Sequence, residues 1–418
     1  MAAFTDIKAL FKSKKVVVEN YFFMTVLQVL NTLFYVLIYP YLIRTLGAES
    51  YGLYVFAMSI VTYFVSFVGF GFDLPAVKII AQYPADEKQK AHTLSCIYTA
   101  KIYLEIISLI VFSIVIFSVP YLKINWILLF ICFSQTLTNI IFPQWYFQGL
   151  QKMRIVTYVQ LGLKLISLPF IFFTIHTSND INTFALIASI TSIGGGVGAA
   201  AIIRFYDKIR IQIIPFGAVK KWYADATPFF LSTSAGMIKE QTVAILIGVF
   251  FGMKDVAIYD LANKIVAVPR LLLTSVNGAL FPNIISKSSN ELIKKILRYQ
   301  VYLCLLIIGF IALLGKWVVV LMGGVSMLGS YPLAIILSVT ILPWLIVSSF
   351  IYFVFVPTNN YYFVTKNQLV ALISFVVYAA IGLLFINNIY VLAAALSLSG
   401  LTEIVFCSYL IRKNSLLS

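Results

Sequence analysis

Charge is scarce in this 418-residue chain: Asp, Glu, Lys and Arg make up 11% of it, against 61% hydrophobic residues. Soluble domains average about 25% charged and about 45–50% apolar residues. No water-soluble fold could hide this much apolar surface, so hydrocarbon is the solvent that the composition requires. Histidine is rarer still. His92 and His176 stand alone near expected helix ends, which leaves no Ser-His-Asp set and no paired metal ligands for hydrolytic or metal-centred chemistry. The four cysteines, Cys96, Cys132, Cys304 and Cys407, are widely spaced without a CxxC. They read as small packing residues rather than a disulfide framework or a metal site. A nucleotide loop is missing too: Gly194-Gly-Gly-Val-Gly198 is followed by no Lys-Ser/Thr, so close helix packing is expected there and ATP-driven transport by this chain alone is disfavoured.

What the chain does have is long apolar runs. Twelve of them approach the ~20 residues that a helix needs to cross a bilayer. They lie at 21–43, 51–72, 98–121, 125–147, 157–177, 183–203, 226–251, 256–280, 299–322, 331–356, 369–387 and 389–411. Acids are outnumbered, 15 against 30 Lys and Arg, giving a formal net charge of +15. The basic residues alternate with the spans. With the N-terminus inside, cytoplasmic segments hold 21 Lys and Arg, whereas the opposite loops hold only Arg44, Lys123, Lys254 and Lys316. That is a positive-inside pattern with both termini cytoplasmic. The basicity therefore orients helices beside an anionic membrane-lipid leaflet, and no nucleic-acid partner is expected. The first 20 residues, with Lys12, Lys14 and Lys15, lack a cleavable signal pattern and read as a basic entry segment.

Two stretches resemble each other. Residues 47–61 and 252–266 superpose at a constant offset of 205, matching Gly47/Gly252, Tyr54/Tyr259, Ala57/Ala262, Ile60/Ile265 and Val61/Val266. Both join consecutive spans that run the same way, which makes a parallel repeat. The expected fold is an all-α polytopic membrane protein of about twelve transmembrane helices. Two six-helix lobes, 1–206 and 226–418, would be joined by a cytoplasmic linker at 207–225 and surround a central cavity.

Polar residues fall in stripes, as expected of helices that line water or substrate rather than lipid. Asp260, Asn263, Lys264, Arg270, Thr274, Asn277 and Gly278 share one face of the eighth span. Ser232, Thr233, Gly236, Lys239 and Glu240 share a face of the seventh, and Thr25, Gln28, Asn31, Thr32, Tyr35 and Tyr39 a stripe of the first. The fifth span offers Gln160, Lys164, Ser167 and Thr174. At 1.5 Å per residue, Glu240 lies roughly 18 Å below the loop at 252–256 and Arg270 roughly 21 Å, so the two can pair. Asp260 and Lys264, four apart, can pair with each other. Lys239 and Lys164 are then left without an obvious acid, and Glu403 in the last span would only partly offset them. Lys101 and Glu105 read as interfacial. An unpaired cation inside a membrane faces an aqueous cavity or an anionic ligand, and the surplus suits a diphosphate.

The residues also carry a family resemblance. Pro40-Tyr-Leu-Ile-Arg-Thr-Leu-Gly-Ala-Glu-Ser-Tyr-Gly-Leu-Tyr54, Pro143-Gln-Trp-Tyr-Phe-Gln-Gly-Leu-Gln-Lys-Met153 and Phe281-Pro-Asn-Ile-Ile-Ser286 resemble stretches of bacterial polysaccharide (O-antigen) repeat-unit flippases. These belong to the multidrug/oligosaccharidyl-lipid/polysaccharide exporter superfamily. The resemblance covers essentially the whole chain. It implies the two-lobed fold shared with multidrug and toxin extrusion proteins, a place in the bacterial inner membrane, and translocation of undecaprenyl-diphosphate-linked oligosaccharide by alternating access around a cation-lined cavity. The type of site is what the resemblance carries; the stripes choose the residues. Lys164, Lys239, Lys264 and Arg270 are the candidate substrate anchors, with Asn31 and Tyr35 lining the cavity and Arg44 near its outer end. Tyr35, Tyr39 and Trp344 are aromatics for sugar stacking or, equally, for an interfacial or packing role. Glu240 and Asp260 are candidate ion-pair or coupling groups for a proton or sodium ion, and no cofactor is expected. Polysaccharide polymerase machinery is a candidate partner. The alternatives are an ion-coupled multidrug exporter on the same fold, which should carry a negative cavity, and a membrane polysaccharide polymerase or ligase, which should carry a large outer loop.

Overall fold

The computed structural model describes residues 2–286, 290–358 and 360–416, with the side chains of 2–18, 21, 232, 274–286, 290 and 361 outside that description. The chain is 88% helical, with no strand among the described residues. In order, the α-helices are α1 (Ala2–Gly69), α2 (Asp73–Gln82), α3 (Glu87–Ser118), α4 (Pro120–Ile124), α5 (Trp126–Phe133), α6 (Thr136–Ile141), α7 (Gln144–Gly149) and α8 (Met153–Thr174). Then follow α9 (Ile181–Ala201), α10 (Phe216–Phe250), α11 (Met253–Ser286), α12 (Asn290–Gly323), α13 (Ser330–Ser338), α14 (Ile341–Phe350), α15 (Tyr361–Phe385) and α16 (Ile389–Lys413).

Nine helical stretches among the described residues are long and apolar enough to cross a membrane. One of them, Phe22–Gly69, has 48 residues, roughly 70 Å of helix where hydrocarbon is about 30 Å thick. Gly47 breaks it, at φ 77° and ψ 162°. Helices α10 and α11 are not among the nine, although each has at least 34 residues; both carry charge along their length. Two crossings in α1 and one each in α10 and α11 bring the count to about twelve. Broad exposed apolar faces, such as Leu306, Phe310, Leu313 and Leu321 on α12 and Ile106, Ile110 and Ile114 on α3, have lipid as their natural cover.

Local chemistry sets the helix ends. Asp86 accepts a hydrogen bond from Gln89 N at 3.0 Å and starts α3, while Asn388 accepts one from Tyr390 N at 3.1 Å and starts α16. Gly47 and Gly252, the first matched pair of the repeat, both hold positive φ, 77° and 103°. Only glycine takes that conformation freely, which gives the repeat a structural reason.

The chain forms two compact units, Met1–Leu37 with Val61–Phe230, and Ile38–Ile60 with Leu231–Ser418. This differs from a cut at 207–225 in two respects. The segment 207–225 docks on the first unit: Gln212 N and Ile214 N donate to Ser95 Oγ and Thr99 Oγ1 of α3 at 3.0 and 3.1 Å, and Ile209, Val219 and Trp222 are buried in its core. The segment Ile38–Ile60 joins the second unit because Gly52 lies against the Met253 carbonyl and the Ala257 amide, so close that no Cβ fits between.

In the first unit, Phe72, Ile80, Ile97, Trp145, Tyr146, Phe147 and Met153 share one core cluster. The Trp-Tyr-Phe-Gln-Gly motif is therefore packing. Its three aromatics are at most 2% exposed, and a Cβ on Gly149 would sit 2.8 Å from Ile80. In the second unit, Ile346, Val347, Phe350 and, from the turn Ile351–Phe355 that follows, Phe355 pack with Cys407 and Leu410 of α16. The four cysteines are buried and free.

Candidate functional site

The intramembrane cations divide by unit. In the second unit, Lys264 is an ion-pair partner of Asp260 one turn away and donates to the Tyr51 hydroxyl at 2.8 Å. Tyr51 in turn donates to Asp260 Oδ2 at 3.0 Å, which closes a triangle. The rings of Tyr39 and Tyr51 flank the ammonium at 5.1 and 5.4 Å, a cation–π arrangement. Tyr51 was not singled out in the stripes because it belongs to the connection between two spans.

Arg270 lies 3.6 Å from Glu240, as equal depth on antiparallel α10 and α11 requires. The guanidinium also donates to Thr340 Oγ1 and stacks over Trp344 at 5.4 Å, so this tryptophan already covers a cation. Arg44 donates to the carbonyl of Leu321 at 3.4 Å. That carbonyl is among the last four of α12, which have no acceptor role inside the helix, so Arg44 acts there as a C-terminal cap.

Lys239 corrects the sequence reading. It is not left without an acid: it pairs with Glu403 of α16, and Asn367 of α15 donates to the other carboxylate oxygen at 3.3 Å. Both charged side chains are largely buried, 13% and 9% exposed. A partner 164 residues away is invisible to depth arithmetic on adjacent helices.

Lys164, in the first unit, is different. It sits about 15 Å from either end of α8, at mid-membrane depth. Its ammonium donates to Asn31 Oδ1 at 2.7 Å and lies 5.1 and 5.2 Å from the ring centres of Phe34 and Tyr35. Among the described residues no carboxylate lies within ion-pair reach of it. Of the four candidate cations, Lys239, Lys264 and Arg270 each have a matched acid within the second unit, Glu403, Asp260 and Glu240, whereas Lys164 has none among the described residues. The surplus of one charge resides on Lys164, with Asn31 and Tyr35 as its polar and aromatic neighbours. Phe34 was missed by the stripe because a phenylalanine in an apolar run gives no signal.

Lys101 and Glu105 also need correction. Lys101 is 2% exposed, not interfacial. It donates to the Asn139 carbonyl and side-chain oxygens at 3.0 and 2.9 Å and lies 3.4 Å from Asp73. Glu105 accepts from Thr136 at 2.6 Å. This network fixes α2, α3 and α6 together. The stripe residues Ser232, Thr274, Asn277 and Gly278, and the terminal Lys12, Lys14 and Lys15, lie outside the described side chains.

Known proteins share both the sequence and the fold. Residues 17–289 match the polysaccharide biosynthesis protein family. A protein of Escherichia coli (strain K12), named for O-antigen transport, is 30% identical over 352 residues, 82% of this chain and 84% of that one. A protein of Shigella dysenteriae with the same name is 23% identical, over 65% and 68% of the two chains. The fold is similar to an inward-facing multidrug resistance MATE family transporter of the MOP superfamily, with TM-score 0.66, 12% identity and coverage of 91% and 95%. A MOP superfamily transporter from Pyrococcus furiosus, described as having a binding pocket of reverse polarity, gives TM-score 0.57 at 14% identity, covering 96% of each chain. This chain belongs to the polysaccharide biosynthesis protein family, as a multi-pass membrane transporter rather than an enzyme.

Proposed function

We propose that the chain is a flippase that moves undecaprenyl-diphosphate-linked oligosaccharide, an O-antigen or similar repeat unit, across the bacterial inner membrane by alternating access. The observation that carries this reading is Lys164, a mid-membrane cation with no carboxylate within ion-pair reach among the described residues. Keeping such a charge costs at least ~2.5–3.5 kcal/mol on insertion scales, and a diphosphate arriving with the substrate offsets that cost. Asn31 adds a polar contact beside it, and the exposed ring of Tyr35 offers a face on which a sugar can stack. A cationic drug finds repulsion at the same place. The names of the relatives, both given for O-antigen transport, support the substrate class.

The remaining candidates take secondary parts. Lys239, Lys264 and Arg270 reach a substrate anion only by exchanging Glu403, Asp260 or Glu240 for it. Protonation of Asp260 or Glu240 would release Lys264 or Arg270, which makes these acids the candidate groups for a coupling proton. A sodium ion at either acid would act in the same way. Arg44 would act at the outer end of the path. The positive-inside count supports cytoplasmic termini, with cytoplasmic entry and release on the opposite face, where polymerase machinery would receive the product.

Deletion of the gene in its host tests the function. The expected outcome is loss of surface polysaccharide with diphosphate-linked repeat units accumulating on the inner side. Normal surface polysaccharide in the deletion strain would contradict it.

A further inference from the structure

A cavity of about 490 Å³ lies in the first unit, and Lys164 is not part of its lining. It is lined by Phe23, Lys152, Arg154, Ile155, Ile202 and Tyr206, with Glu19 and Asn20 at its edge. The elements that form it are the beginning of the membrane part of α1, the start of α8, and the π-helical turn Ile202–Tyr206 that follows α9. In the sequence pattern this is a positive-inside end. Arg204, Lys208 and Arg210 follow on the same segment, all exposed.

The two cations of the cavity are held differently. Lys152 is 3.1 Å from Asp207, whose other oxygen accepts from Tyr146 at 2.9 Å, so that pair is anchored to the buried aromatic motif. Arg154 only approaches Glu19, at 3.9 Å, with side chains 59% and 46% exposed. Its Nε donates to the Tyr158 hydroxyl at 3.2 Å, and the guanidinium lies 5.3 and 5.9 Å from the rings of Tyr158 and Phe23. Its Nη groups make no hydrogen bond among the described residues. Stacked, half-exposed and loosely paired, Arg154 presents a planar donor fork that matches phosphate oxygens. On the same three segments Phe22, Tyr158, Phe205 and Tyr206 are all more than half exposed. Exposed aromatics beside cations at the end of a span mark the headgroup level of a bilayer.

A cavity with one apolar side, a phosphate-matching fork and a ring of interfacial aromatics fits an amphiphile with an anionic head. Basic pockets of this kind between transmembrane helices bind lipid headgroups. We propose that this cavity binds the phosphate headgroup of an anionic phospholipid of the surrounding bilayer, with Arg154 as the headgroup ligand and Glu19 as its competitor. The acyl chains lie along Phe22 and Phe205. The proposal does not depend on the transported substrate, and its readout is lipid binding alone.

The test uses the full-length purified protein with phosphatidylglycerol, phosphatidylcholine or undecaprenyl diphosphate as separate probes, counting retained lipid by native mass spectrometry. Wild type should retain phosphatidylglycerol over phosphatidylcholine. Arg154→Gln should lower phosphatidylglycerol retention by about tenfold, the scale of one lost charged hydrogen bond. Glu19→Gln should raise it, because the competing carboxylate is gone. The opposite signs keep the proposal testable even if one variant folds poorly. Equal retention by wild type and Arg154→Gln, or a fall with Glu19→Gln, would overturn it. Retention of undecaprenyl diphosphate through Arg154 without retention of phosphatidylglycerol would overturn the phospholipid assignment as well.

Discussion

Lys164 and Lys239 are the same residue type, each well inside a long apolar helix, yet among the described residues Lys239 faces a carboxylate and Lys164 does not. Lys239 in the second unit is matched by Glu403, steadied in turn by Asn367. Among the described residues, Lys164 in the first unit has an amide oxygen and two aromatic rings. A buried pair with its hydrogen bonds in place fixes helix positions, and removing one partner strands the other. A cation without its acid does nothing comparable for packing, so its retention points to a ligand. The difference separates scaffold from site more sharply than counting charges does.

Breaking the paired side should give the largest structural effect. Glu403→Gln leaves the Lys239 ammonium buried and unmatched, and a loss of about 3–5 kcal/mol is expected. Denaturant unfolding of the purified protein measures it, and adding Lys239→Met to Glu403→Gln should recover most of the loss. A double variant as unstable as the single one would show that the pair is not what holds α10 to α16. Next in size is Gly52→Ala. Its Cβ meets the Met253 backbone, which cannot yield as a flexible side chain can, so about 1–3 kcal/mol or more of stability should be lost. An unchanged stability would show that the close approach of Gly52 to the Met253 backbone is not what joins 38–60 to the second unit. The smallest effect is expected from Arg44→Ala. An exposed cation at a helix C-terminus contributes about 0.3–1 kcal/mol, and the thermal midpoint should move little. A strong loss of transport with unchanged stability would instead give Arg44 a place on the substrate path.

Much of the fold was legible because hydropathy reports the solvent of a helix directly. The long runs, the Gly47 and Gly252 breaks and the Asp260–Lys264 pair all follow from short-range spacing. Glu240 and Arg270 were within reach as well, since they flank one connection and depth alone aligns them. Longer-range neighbours were not legible. Nothing in the spacing of α10 says that α15 and α16 lie beside it, so spacing leaves Lys239 unmatched together with Lys164, whereas Glu403 pairs with it. Glu403, an acid in the middle of an apolar span, was the available signal. Lys101 was misread as interfacial for a similar reason, because its partners Asp73 and Asn139 come from two other helices. The stretch 207–225 looked like a linker by polarity. Its backbone amides bond the hydroxyls of Ser95 and Thr99, a use of Ser and Thr that composition does not reveal.

In the proposed function Lys164 serves a transported anion and not the fold. Lys164→Met tests it most directly, with surface polysaccharide in the host and the unfolding midpoint of the purified protein measured on the same variant. Surface polysaccharide should fall by about tenfold or more, the equivalent of losing one charged hydrogen bond, while stability is unchanged or raised because a costly cation is gone. Wild-type polysaccharide levels in Lys164→Met, or a loss that only tracks a lowered midpoint, would contradict it.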